Sequence, residues 1–112
     1  GVYFPPEMSL NINKGKLYVN YGHGRYGNWQ YTFRYKNSDF ELIGYDETNG
    51  GPVINSLTSI NFLTKKKQTK INTNENAEGG DEVFKEIWDN IKVDRPIKLS
   101  EIEDFSELKV YE

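Results

Sequence analysis

The residues of this chain that could perform chemistry are few. His23 is the only histidine and cysteine is absent, so a catalytic triad or a histidine-based metal site would depend on one side chain. His23 lies in a glycine-rich segment with no acidic neighbour, which is typical of a solvated loop histidine. Disulfides, thiolate catalysis and zinc–thiolate sites are excluded.

Residues 22–27 match the GxGxxG pattern of phosphate-binding loops. A dinucleotide site needs a helix directly after the glycines, because the helix N-terminus meets the pyrophosphate. Here the alternating pattern of a strand begins at Trp29 instead. The match therefore favours a flexible loop between two strands.

Two acidic stretches resemble sites only in part. Residues 74–79 begin like a calcium loop, but position 12 is Lys85 where a bidentate glutamate is required. Glu101, Glu103 and Asp104 form a carboxylate cluster, and two carboxylates can hydrolyse a glycosidic bond. Nothing nearby would raise the pKa of one of them, so we interpret the cluster as solvated surface. We expect no enzyme, no bound metal and no cofactor.

Four aromatic residues are candidate ligand-binding side chains: Tyr18, Tyr26, Trp29 and Tyr45. Tyr18 and Tyr45 fall on strand faces opposite the main apolar stripes, and Tyr26 lies in the glycine loop. Exposed rings near amides such as those of Asn20, Asn28 and Gln30 could stack on a sugar face. The alternative is that the rings only pack, in a sheet covered on both faces.

A central hairpin is predicted by apolar residues at every second position on both sides of Asn37-Ser38. A two-residue turn there pairs apolar with apolar residues and one charge with its opposite. The predicted pairs are Tyr35 with Phe40, Phe33 with Leu42, Arg34 with Glu41, and Tyr31 with Gly44. The alternation places Trp29, Tyr31, Phe33 and Tyr35 on one buried face.

A second hairpin is predicted around a turn at Lys14-Gly15. It pairs Ile12 with Leu17, Leu10 with Val19, and Met8 with Tyr21. Residues 46–52 are rich in turn formers, so we expect a loop there. Residues 54–63 and 66–73 indicate two further strands.

Residues 81–91 fit two structures. Phe84, Ile87, Trp88 and Ile91 have the spacing of an amphipathic helix, whereas a strand would pair back onto residues 66–73. Arg95-Pro96 should stop any regular element, and residues 92–112 are predicted to be an extended tail packed on the sheet. Its apolar anchors would be Ile97, Leu99, Ile102, Phe105 and Leu108.

Length and composition indicate one domain over residues 1–112, with a modest core rich in aromatic residues, which make up 14% of the chain. The net charge of −3 divides into +4 through Asn74 and −7 from Glu75 onward. The lysines at 65–67 and at Lys70 are too few for a nucleic-acid surface. No apolar stretch approaches the ~20 residues of a membrane helix. We expect a single-domain, mainly β, antiparallel meander of five to seven strands, with at most one short C-terminal helix.

Residues 33–46, 59–67 and 95–105 together resemble an uncharacterised β-rich domain of exported or envelope-associated proteins of Gram-negative bacteria, including Bacteroidetes. Ser38 and Lys65 stand where that family usually has turn glycines. The resemblance implies export to the periplasm, cell surface or medium, a mainly antiparallel sheet, and a strand over residues 81–91. It implies no catalytic residue.

We expect a non-catalytic binding or structural domain of an exported protein, which acts through a sheet face, an edge strand or its loops. The partner would be another envelope protein or a glycan. A carbohydrate-binding module that uses the exposed aromatic residues is the main alternative, and a small hydrolase is the least favoured.

Overall fold

The computed structural model describes residues 7–22, 27–93 and 95–102. They form one antiparallel sheet of seven strands, each hydrogen-bonded to its neighbours in sequence. The predicted meander is therefore confirmed, and β1 and β7 are its two edges. One turn of 3-10 helix, Leu99–Glu101, follows the sheet. The strands are β1 Glu7–Asn13, β2 Lys16–Gly22, β3 Gly27–Lys36, β4 Asp39–Gly50, β5 Ile54–Asn61, β6 Lys66–Asn72 and β7 Phe84–Asn90.

The β1–β2 hairpin has the predicted register along its whole length. Ile12 pairs with Leu17, Leu10 with Val19 and Met8 with Tyr21. Lys14 and Gly15 both have positive φ, 51° and 77°. These angles define a two-residue type I′ turn, whose twist matches that of the flanking strands.

The β3–β4 hairpin follows the predicted register only near its turn. The three pairs from Tyr35–Phe40 to Phe33–Leu42 are as predicted, but the register then shifts by one residue. Ile43 is the extra residue of this β-bulge, since Thr32 pairs with Gly44 and Tyr31 with Tyr45. The predicted pairing of Tyr31 with Gly44 is therefore wrong.

The bulge brings Tyr45 onto the apolar face. Its ring lies 5.1 Å from that of Tyr31, centroid to centroid, and its hydroxyl donates to Glu47 Oε2 over 3.0 Å. Only 9% of Tyr45 is exposed, so the prediction of an exposed ring on the opposite face is wrong. A one-residue shift moves every later side chain of a strand to the other face.

The core lies on one face of the sheet and is covered by the chain after β7. Leu42 N–H donates to the carbonyl of Ile97 over 2.7 Å, and the Ser100 hydroxyl donates to Asp39. Val93, Ile97, Leu99 and Ile102 pack against the core. Phe105 and Leu108, the other predicted anchors, lie outside the described residues. The buried side chains are Leu17, Val19, Tyr31, Phe33, Leu42, Tyr45, Ile60, Phe62 and Ile91.

Residues 84–90 form strand β7, so the helix suggested by their spacing is wrong. Ile87 pairs with Thr69, and Trp88 with Gln68, so the side chains of Ile87 and Trp88 lie on opposite faces of the sheet. Tertiary pairing with β6 outweighs the helical periodicity. Strand β4 likewise continues to Gly50, through the segment expected to be a loop.

Tyr35 is 58% exposed, although Phe33 on the same face is completely buried. Tyr35 lies next to the β3–β4 turn, and its ring contacts that of Phe40 at 5.3 Å. The predicted burial of Tyr35 is therefore wrong, because alternation selects a face but does not say how far that face is covered.

Candidate functional site

The apolar face continues past the core onto the edge strand β1. Met8, Leu10 and Ile12 stand beside Tyr21, Val19 and Leu17 of β2, but are themselves 57%, 62% and 67% exposed. We call these three side chains the β1 stripe. Single exposed apolar residues are ordinary, whereas a contiguous exposed row is a candidate interaction surface.

The outer backbone edge of β1 carries hydrogen-bonding groups in the same positions. In a type I′ hairpin the residues flanking the turn are hydrogen-bonded to each other, here Asn13 and Lys16. Bonded pairs then alternate along the strands, so the N–H and C=O groups of Met8, Leu10 and Ile12 point away from β2. Among the described strands only β2 pairs with β1. The β1 edge can therefore accept another strand.

The two edges of the sheet differ in how they are protected. Strand β7 carries Lys85, Glu86 and Asp89, and charged side chains discourage pairing with a further strand. Strand β1 has one charge, Glu7, at its first position, and has neither a proline nor a bulge. Natural edge strands usually have at least one such device, so β1, over residues 7–13, has little protection against the addition of a strand.

The other face of the sheet is polar. The register aligns one row of side chains across all seven strands: Ser9, Asn20, Gln30, Asp46, Ser59, Gln68 and Trp88. Ser59 donates to Asp46 over 2.7 Å. Hydrogen bonds from Gln68 and then Trp88 lower the pKa of Glu86, so that carboxylate stays charged. This face offers hydroxyl, amide and carboxylate groups.

A cavity of about 330 Å³ lies at one corner of the sheet, near Gly22. A Cβ at Gly22 would meet nothing within 4 Å. Of the residues that line the cavity, Met8, Tyr21 and Trp29 belong to the apolar face by their register, and Glu7, Ser9, Asn20 and Asn28 belong to the polar face. These groups could hydrogen-bond a small polar ligand.

Of the four predicted ligand-binding aromatic residues, the three that the structure describes do not share one face of the sheet. Tyr18 is half-buried on the polar face, in line with Asn11 and Thr32. Trp29 lies on the apolar face, stacked on Tyr21 at 5.4 Å with the rings 12° apart. Tyr45 is a core residue. Tyr26 lies outside the described residues, as do His23 and two of the three clustered carboxylates, Glu103 and Asp104.

The β1 stripe was visible in the sequence only as the outer half of a hairpin. Apolar residues facing Leu17, Val19 and Tyr21 read as core, and alternation alone contains no sign of what lies beyond them. The available signal was topological, since the first strand of a meander is an edge. The cavity at Gly22 was missed because it depends on the β2–β3 register, which joins Gly22 to Asn28.

Burial also alters one core tyrosine. Burial raises the pKa of Tyr31 to about 12, with smaller contributions from Tyr21 and Glu47. Tyr31 is the packing partner of Tyr45, so this shift reports the closed core. Within residues 7–22, 27–93 and 95–102, no three His, Cys, Asp or Glu side chains are grouped so that they could hold a metal ion.

Comparison with known proteins identifies no relative. No family model, curated protein or solved structure matches this chain. Among the described residues, no helix has the length and apolar character needed to cross a membrane.

Proposed function

We propose that this chain is a non-catalytic binding domain of an exported bacterial protein, and that β1 is its binding edge. The partner is a protein of the cell envelope, which adds an extended segment to the sheet beside β1. Backbone hydrogen bonds would provide affinity, and alternate side chains would provide specificity, as in other cases of strand addition.

One observation carries this proposal: the same three residues of β1 present both exposed apolar side chains and outward backbone groups. Met8, Leu10 and Ile12 are each more than half exposed. A segment that binds beside them would hydrogen-bond with the outward N–H and C=O groups, which no other described strand pairs with, and would cover apolar surface in the same step.

The geometry defines the chemistry of the partner segment. It should be about seven residues long, uncharged in its middle, and apolar at alternate positions that lie beside the β1 stripe. Its other side chains would stand beside Ser9 and Asn11 and should be small or polar.

A displayed library of random heptapeptides tests the edge directly. Selected peptides should bind the wild-type domain and lose at least about tenfold in affinity for Leu10→Pro, which removes an outward N–H without removing a bond to β2. Leu10→Ala keeps that N–H and is the matched control, so it should lose less. Peptides that bind both variants equally, or no selected peptide at all, would contradict the proposal.

Carbohydrate binding is the second candidate, and the cavity at Gly22 is the observation that favours it. Beside Met8, Tyr21 and Trp29, the residues Glu7, Ser9, Asn20 and Asn28 contribute a carboxylate, a hydroxyl and two amides to the lining of that cavity. Sugar hydroxyls bind to groups of this kind, and Tyr18 on the same face could contribute a ring.

This candidate is tested by titrating the protein with a panel of glycans and measuring binding by isothermal calorimetry. Gly22→Leu should abolish binding, because the side chain would enter the open space. Asn20→Ala should weaken it, and Leu10→Pro should leave it unchanged. A panel without any binding glycan, or binding that survives Gly22→Leu, would exclude the cavity.

A further inference from the structure

We infer that the segment which occupies the β1 edge is β1 of a second copy of this chain. This inference rests on the proposed binding edge and identifies its occupant. Two copies would join their β1 strands antiparallel about a two-fold axis at Leu10, and the two sheets would become one.

The sequence of β1 is self-complementary about Leu10. A two-fold axis there places Leu10 beside Leu10 of the other copy, and Met8 beside Ile12. On the opposite face, Ser9 stands beside Asn11. Glu7, the one charged residue of the strand, stands beside Asn13, so no like charges meet.

The alternation of inward and outward backbone groups along β1 agrees with this register. Met8, Leu10 and Ile12 have outward N–H and C=O groups, and the axis pairs each of them with a residue of the same set. Such pairs exchange two bonds each, which makes about six new backbone hydrogen bonds. An axis moved to Ser9 or Asn11 would pair only part of β1, because one end of each strand would pass the end of the other. The axis at Leu10 pairs the whole strand.

The two-fold axis also joins the apolar faces. It is perpendicular to the sheet, so the β1 stripes of both copies lie side by side on one surface. Each of the three side chains then has an apolar neighbour on both sides instead of one. Seven residues per copy make an interface below the usual size, so we expect a dissociation constant on the order of 0.1 mM.

Sedimentation equilibrium over concentrations from about 10 μM to 1 mM tests self-association. The wild-type chain, with a mass of 13.0 kDa, should approach twice that mass at the upper end. Leu10→Pro should remain a monomer, and Leu10→Ala should dimerise more weakly. A wild-type chain that is monomeric throughout the range overturns the inference.

The register is tested by a charge-complementation pair that does not depend on proline. Met8→Lys and Ile12→Glu should each weaken dimerisation, because each places an unpaired charge beside an apolar residue of the other copy. The double variant places each new lysine beside a new glutamate, so it should dimerise at least about fivefold more tightly than either single variant. A double variant no tighter than the single ones excludes the axis at Leu10.

The outcomes separate this inference from the proposed function. If the wild-type chain is monomeric but still binds library peptides that Leu10→Pro does not bind, the edge is functional and its occupant is another protein. If it neither dimerises nor binds such peptides, both proposals fail.

Discussion

Leu42 and Leu10 occupy the same face of the same sheet, yet one is completely enclosed and the other is mostly in solvent. Leu42 lies on β4 beneath the chain that follows β7, whose Ile97 carbonyl accepts its N–H. Leu10 lies on the edge strand β1, with an apolar neighbour on one side only. The alternating pattern is equally good in both places. Whether a side chain on this face is buried therefore depends on whether another part of the chain packs over it. The alternating pattern predicts only which face the side chain lies on.

The largest expected effect comes from truncating the two leucines. Leu42→Ala should cost about 2–5 kcal/mol of unfolding free energy, because a 2% exposed side chain leaves a cavity. Leu10→Ala should cost less than about 1 kcal/mol. Urea titrations at micromolar protein concentration measure both values. Equal costs would mean that the β1 stripe is covered within the monomer.

The second-largest effect is expected at alkaline pH, where the stability of the core around Tyr31 should fall. The pKa of Tyr31 is about 12 in the folded protein against 10.0 for an ordinary tyrosine. The folded state keeps this proton when the unfolded state has lost it, so its stabilising effect is complete below pH 10. The free energy of unfolding should then fall by on the order of 2–3 kcal/mol between pH 10 and 12. Tyr31→Phe should reduce that dependence, and an unchanged dependence would assign it to another group.

The two hairpin turns provide a smaller contrast. Gly15 adopts positive φ without strain, whereas Ser38 has a φ of 62° at the equivalent position of the β3–β4 turn. Ser38→Gly should raise the free energy of unfolding by about 1 kcal/mol, because a left-handed backbone is unfavourable for a residue with a Cβ. Thermal denaturation would measure the gain, with Gly15→Ser as the reciprocal variant that should lose stability. A destabilising Ser38→Gly would show that the serine side chain is itself required.

The smallest effect concerns the hydrogen bond that joins residues 95–102 to strand β4, from Ser100 to Asp39. The Ser100 hydroxyl lowers the pKa of Asp39, with help from the backbone N–H of Phe40. Asp39 therefore stabilises the fold above its ordinary pKa of 3.8, and that contribution disappears as the pH falls below this value. Ser100→Ala should make acid unfolding less steep in this range. Steepness equal to that of the wild type would show that the hydrogen bond does not persist in solution.

The sequence predicted the hairpins well because their registers follow from local pairs. The turn at Lys14-Gly15 and the pairs of Phe33 and Arg34 required only alternation and a two-residue loop. The bulge at Ile43 could not be predicted this way. Both registers place an apolar or small residue opposite Tyr31, and the observed one is distinguished by the packing of Tyr45 in three dimensions.

The candidate site was less accessible to sequence reasoning than the fold. The polar row from Ser9 to Trp88 includes one residue from each strand, so it exists only when six registers are known together. The exposure of the β1 stripe could not be predicted, because it depends on which parts of the sheet the chain after β7 covers. The strand over 84–90 needed its partner β6, because Ile87 and Trp88 satisfy a helix equally well when considered alone.

The sequential strand order has a consequence for how this protein folds. Each strand pairs with the strand just before it in the chain, so the sheet can grow by one hairpin at a time. The segment after β7 differs from the strands, because its contact with the sheet is distant in sequence: Ser100 bonds to Asp39, 61 positions earlier in the chain. A chain whose strands have paired before residues 95–102 dock would expose the apolar face around Leu42 to water, so slow docking of this segment would favour aggregation.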